Sequence, residues 1–163
     1  MNVVLAGMPG SGKTTVANIF KRRGETVFDT DEEIVKKHGS ISEIFAKFGE
    51  EYFRDLETQT VIRLSALSGV VIATGGGCLL RNENVQYFKN SGKIFYLRTD
   101  VETLVKRVEG DTGRPLLQGD TRERLQKLYS ERSDIYERSA DIIIDTDGLT
   151  PEEIANKITE YIK

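Results

Sequence analysis

Apolar positions along the chain fall into two rhythms: short unbroken runs, and longer stretches with a helical period. Val3 to Ala6, Val70 to Ala73, Ile94 to Leu97 and Ile142 to Ile144 are runs of the kind found in strands buried on both faces. Thr26-Val27-Phe28 reads as a further strand that runs directly into Asp29-Thr30-Asp31. Lys13 to Arg23 predicts a helix with Val16, Ala17, Ile19 and Phe20 on one face and a stop at Gly24. Glu32 to Lys37 predicts a helix ended by Gly39, and Ser40 with Glu43 predicts a capping box that opens a short helix holding Ile41, Ile44 and Phe45. Glu50 to Leu67 is the longest helical pattern and closes at Gly69. Further helices are expected over Asn82 to Phe88, before a turn at Asn90-Ser91-Gly92, and over Val101 to Val108 and Thr121 to Arg138. Thr150-Pro151-Glu152-Glu153 opens the last helix with a cap, a proline at the first helical position and a returning glutamate. Gly110 to Asp120 has no periodicity, contains three glycines and reads as a mobile loop.

Strands and helices that alternate in this way predict an α/β fold of three layers, a five-stranded parallel sheet with helices on both faces. The length of 163 residues favours one domain over residues 1–163. In such folds ligands gather beyond the carboxyl ends of the strands. The turn after Ala6, the acidic pair after Phe28 and the glycines after Ala73 all fall there.

Composition narrows the function classes. Apolar residues are 38% and charged residues 30%, which argues against a disordered chain, and the net charge is −3. Nucleic acid and polybasic membrane surfaces are unfavourable partners for such a balance. A single cysteine rules out an intrachain disulfide framework, and Cys78 with His38 is too little for a zinc site. No apolar run approaches the roughly 20 residues that span a bilayer. The amino terminus lacks the basic region of a signal peptide, so a cytoplasmic, soluble protein is expected.

Gly7-Met8-Pro9-Gly10-Ser11-Gly12-Lys13-Thr14 fits G-x-x-x-x-G-K-[ST] between a strand and a helix. Glycines there let successive N–H groups converge on an anion at a helix amino terminus. Lys13 supplies a mobile positive charge to the terminal phosphates, and Thr14 a hydroxyl for magnesium. A guanine-specific N-K-x-D motif is missing: Asn156-Lys157 is followed by Ile158-Thr159. A kinase acting on a small molecule fits the size, given an acceptor site and a lid that excludes water. Arg54 and Glu57, three apart on the long helix, share one face, and an arginine fork matches a carboxylate bidentately. Phe45 and Phe53 suit either a pocket wall or simple core packing.

Taken together these segments resemble the shikimate kinases over nearly the whole chain. The resemblance is carried by the P-loop with Pro9, by Asp29-Thr30-Asp31, and by Phe45 to Glu57 with Gly49-Glu50 and Phe53-Arg54 inside it. It continues through Gly75-Gly76-Gly77, the lid sequence Arg114-Pro115-Leu116-Leu117, and Arg132 four residues before Tyr136. It implies transfer of the ATP γ-phosphoryl group to the 3-hydroxyl of shikimate, in the pathway to chorismate and the aromatic amino acids, by a monomer that uses Mg2+. It assigns ATP to Gly10, Ser11, Gly12, Lys13, Thr14, Thr15, Arg107 and Arg114, and magnesium to Thr14 and Asp29. Asp31 becomes the acceptor ligand and base, with Lys13 and Arg114 as the other catalytic residues. Arg54, Glu57, Gly75, Gly76, Gly77 and Arg132 complete the acceptor site, in which residues 31–57 form the binding segment and 110–120 the lid. Thr146 to Leu149, with Arg107, would flank the base. The chain departs from the family at Ser133-Asp134, where a proline often stands, and this sets Asp134 in competition for Arg132. Alternatives are another small-molecule kinase, such as a gluconate kinase, and a nucleotide-binding switch.

Overall fold

A computed structural model describes residues 1–109 and 121–163. Five parallel strands form one sheet: β1 (Asn2–Ala6), β2 (Val27–Asp29), β3 (Val71–Ala73), β4 (Gly92–Arg98) and β5 (Ile142–Asp145), in the order β2-β3-β1-β4-β5. The helices are α1 (Lys13–Arg22), α2 (Thr30–His38), α3 (Ile41–Ser65), α4 (Asn82–Ser91), α5 (Val101–Glu109), α6 (Thr121–Ser139) and α7 (Pro151–Ile162). The all-parallel sheet is the expected α/β architecture.

Alternate residues of β1 enter opposite layers, as the period of a strand requires. Val4 and Ala6 join a core with Leu64, Phe88, Leu104 and Tyr136, while Val3 and Leu5 join Val16, Phe20, Phe95 and Ile158. Both layers are dry, so the central strand is fixed from both sides and its carboxyl end is a rigid platform. A third cluster (Ile34, Ile44, Phe53 and Leu56) ties α2 to α3 away from the sheet. It gives α2 and α3 a small core of their own.

Local differences from the sequence reading have identifiable causes. Gly49, at φ 87° and ψ 173°, breaks the helical backbone within α3, so the short and long helices predicted on either side of it both form and meet at a kink with no loop between them. The expected capping box at Ser40 is not made: Ser40 Oγ pairs with Ser42 Oγ at 2.9 Å instead. Asp29, which the resemblance assigns to magnesium, also caps α2, accepting from the Glu32 N–H at 3.1 Å. The turn expected at residues 90–92 is absorbed by α4, which runs to Ser91 and passes directly into β4. At the last helix the Thr150–Glu153 capping box forms as read, with proline in the first turn.

Candidate active site

The carboxyl end of β1 leads into the glycine-rich loop, and α1 opens at Lys13. Gly10 (φ 86°) and Gly12 (φ 97°) occupy the left-handed region that L side chains avoid, which is what turns the backbone around an anion. Ser11 is buried, Lys13 half-buried, and Thr14 and Thr15 are exposed at the mouth. The Lys13 ammonium donates to the Gly7 carbonyl oxygen, so the cation folds back over its own loop. Arg107 Nη1 donates to the Gly10 carbonyl oxygen at 2.8 Å. That places Arg107 on the rim of the phosphate loop. Residues 146–149 are tied to the end of β4 by Thr99 and Thr146, whose hydroxyls lie 2.6 Å apart, and by Asp147, which accepts from the Asp100 N–H at 2.9 Å.

A second glycine loop follows β3 next to the first. Thr74 locks its start to β1, its hydroxyl donating to the Leu5 carbonyl oxygen at 2.8 Å. None of Gly75, Gly76 and Gly77 has a positive φ, so torsional freedom is not why glycine stands there. The reason is space. A methyl group built on Gly75 would lie 2.5 Å from Asp31 Oδ1, one on Gly76 2.8 Å from Arg132 Nη1, and one on Gly77 2.6 Å from Arg54 Nη2. Each glycine gives up its side-chain volume to a different charged residue, and each of those residues arrives on a different part of the fold. Pro9 of the phosphate loop lies 3.9 Å from the same position on Gly76, so the two loops share one cleft.

The charges in this cleft perturb one another. Burial, with Asp29 beside it, raises the Asp31 carboxyl above its usual range, while Lys13 and Arg54 pull the other way. Arg54 Nη1 donates to Glu57 Oε1 at 3.0 Å, and Arg54 also lies over the Phe53 ring, 5.3 Å from its centroid. Burial pushes Glu57 up to about 7 against the opposing pull of Arg54. Phe53 is a core residue 4.9 Å from the half-buried Phe45 ring. Asp134 is exposed and makes no ion pair with Arg132, so the expected competition does not occur. Cys78 is fully buried, and burial raises its thiol well above the ordinary value.

Thr14 and Asp29 line one small cleft beside α1. Asp29 Oδ1 is held by the α2 cap, which leaves Oδ2 outside that hydrogen bond. A hydroxyl and one carboxylate oxygen suit an ion that keeps several waters and takes its other ligands from phosphate. No cluster of three acidic, histidine or cysteine side chains that could hold a metal occurs among the described residues. Arg114 and the lid at 110–120 lie outside the described residues.

Two residues that the sequence reading did not single out for a role also belong to the site. The buried Thr30 accepts the Gly75 N–H on its hydroxyl at 2.8 Å, and Tyr136 donates its hydroxyl to the Gly76 carbonyl oxygen at 2.6 Å. Of the three glycine N–H groups, that of Gly75 is therefore already occupied.

A phosphate-binding loop on the central strand of a parallel sheet, facing an acid and two arginines across one cleft, defines a P-loop kinase for small molecules. A family model described as shikimate kinase matches residues 9–163. The shikimate kinase of Thermodesulfovibrio yellowstonii is 46% identical over 96% of this chain and 92% of its own length, and that of Caldicellulosiruptor bescii is 41% identical over the same shares. The structure of shikimate kinase from Acinetobacter baumannii in complex with shikimate superposes with a TM-score of 0.90 at 36% identity, covering 99% of this chain and 92% of that one. The chain belongs to the shikimate kinase family. It is thus an ATP-dependent kinase that phosphorylates a hydroxyl group.

Proposed function

We propose that the protein transfers the γ-phosphoryl group of ATP to the 3-hydroxyl of shikimate, giving shikimate 3-phosphate and ADP. The observation that carries this reading is the placement of Asp31, Arg132 and Arg54 against three successive glycines beside the phosphate loop. Two arginines suit a carboxylate, and an acid between them and Lys13 suits the hydroxyl that attacks. As the acceptor oxygen bonds to the γ-phosphorus, the bridging oxygen leaves with its electron pair on ADP and the hydroxyl proton passes to Asp31. The raised affinity of Asp31 for a proton supports that role. The transition state is loose, so alignment of the two oxygens and neutralisation of phosphate charge by Lys13 do most of the work. Magnesium, held by Thr14 and by Asp29 through water, would neutralise charge on the β- and γ-phosphates.

Thr15 and Arg107 complete the nucleotide side. Arg114 enters from the sequence alone, as a cation for the γ-phosphate. The chain is read as one kinase domain acting as a cytoplasmic monomer. No described helix is long and apolar enough to cross a membrane. ADP release with ATP and magnesium, compared across shikimate, gluconate, nucleoside monophosphates and no acceptor, tests the substrate. Stimulation by shikimate alone is expected, and stimulation by gluconate instead would replace the reading.

A further inference from the structure

Tyr136 lies beneath the second glycine loop, 2% exposed, with its hydroxyl on the Gly76 carbonyl oxygen at 2.6 Å. One turn earlier on α6, Arg132 covers the open face of the same glycine, its Nη1 2.8 Å from where a Gly76 methyl would be. The Arg132 guanidinium also faces the Tyr136 phenol. One helix therefore grips Gly76 twice, at its carbonyl and over its vacant side-chain position. The peptide joining Gly76 to Gly77 is planar and trans, so its N–H points opposite to its carbonyl. Holding the Gly76 oxygen at Tyr136 thus also sets the direction of the Gly77 N–H, next to Arg54.

Tyr96 provides an internal contrast. Its ring lies 5.1 Å from that of Tyr136 and it is 1% exposed, yet its hydroxyl has no hydrogen-bond partner among the described residues. Packing accounts for Tyr96, whereas it does not account for a tyrosine hydroxyl aimed at the glycine loop.

We propose that Tyr136 is a positioning residue for the acceptor: its hydroxyl registers α6 against the second glycine loop, and so sets where Arg132 meets the acceptor carboxylate. This rests on the shikimate reading above. Loss of the hydroxyl leaves a part-buried carbonyl without its donor and frees the peptide to turn toward another partner.

The test compares Tyr136→Phe with Tyr96→Phe, each removing one buried hydroxyl from the same core. Tyr136→Phe is expected to raise the KM for shikimate about tenfold while the KM for ATP stays within about twofold. Tyr96→Phe is expected to leave both constants unchanged. Combined with Arg132→Lys, the loss from Tyr136→Phe should shrink, because both act through one guanidinium. An unchanged shikimate KM in Tyr136→Phe, equal losses for both ligands, or effects that simply multiply with Arg132→Lys would overturn the inference while leaving the substrate standing. Failure of the unaltered enzyme to phosphorylate shikimate would overturn the substrate reading and this inference with it.

Discussion

Arg54 and Glu57 form an ion pair at 3.0 Å in which the arginine side chain retains 12% of its surface and the glutamate 1%. An exposed pair at this spacing contributes little, but here the glutamate is dry, and Arg54 Nη2 also reaches the exposed Glu50 carboxylate at 3.4 Å. Glu57 accordingly holds Arg54 by its Nη1 edge, with Nη2 beside Gly77.

Arg54→Lys keeps the charge and loses the fork. A point-like ammonium cannot make two parallel hydrogen bonds to a carboxylate. The KM for shikimate should rise roughly 10- to 100-fold while that for ATP stays within about twofold, as steady-state kinetics with each substrate varied would show. Equal losses for both ligands would point to a folding defect.

Glu57 should also mark the dependence of stability on pH. Its folded value of about 7 lies above the ordinary glutamate value, so between these the folded chain holds a proton that the unfolded chain has released. Stability from this group is therefore lost as the pH rises through that window. Glu57→Gln, which can still accept from Arg54, should remove that slope. Denaturant unfolding at pH 5 and pH 8 should show the wild type losing up to about 3 kcal/mol more than the variant.

Gly77→Ala tests the meaning of the second glycine loop. Gly77 has φ −100° and ψ 7°, a bridge conformation that alanine can adopt, so the backbone gives little reason for a loss. The added methyl would fall on the Arg54 guanidinium. Shikimate affinity should drop at least about tenfold with a thermal midpoint within about 2 °C of wild type. A variant with unchanged kinetics would show that Arg54 is not needed where it stands.

Thr30→Val removes the acceptor for the Gly75 N–H at nearly constant shape. Thr30 is fully buried, so the N–H is left without a partner, at a cost of about 1–3 kcal/mol in unfolding free energy. Shikimate turnover should fall alongside, and Thr30→Ser should restore both.

Asp29 combines a cap with a place in the cleft of Thr14, and Asp29→Asn separates the two. Asparagine caps a helix as well as aspartate, so the thermal midpoint should hold. The magnesium concentration for half-maximal rate should rise several-fold, and chelation of magnesium should abolish activity in both proteins. An unchanged magnesium dependence would remove Asp29 from the metal site.

The sequence was most informative where one residue type dominates a conformation. Buried strands such as Val3 to Ala6 are unbroken apolar runs, and the phosphate loop needs glycine at Gly10 and Gly12 for its torsions. Gly49 and Gly39 likewise stand at the breaks where helices bend or end. The acceptor side was legible through family resemblance rather than through local pattern, since Asp31, Arg54 and Arg132 are ordinary surface residues until the fold brings them together. Thr30 was hidden between two acids that drew the chemical reading, although its hydroxyl fixes Gly75. Tyr136 resembled any core aromatic, because nothing in its spacing says that its hydroxyl would meet Gly76. The cap at Asp29 depended on where β2 ends and α2 begins, a matter of one or two residues that pattern does not resolve.

The central claim is that the phosphate loop and the glycine-lined pocket work on one another across a single cleft. Its most direct test is the fate of the γ-phosphoryl group, followed by phosphorus NMR with ATP, magnesium and shikimate. One phosphate ester on shikimate for each ADP formed, with inorganic phosphate at background, is the expected result. ADP formed at the same rate without shikimate, and accompanied by inorganic phosphate alone, would contradict it.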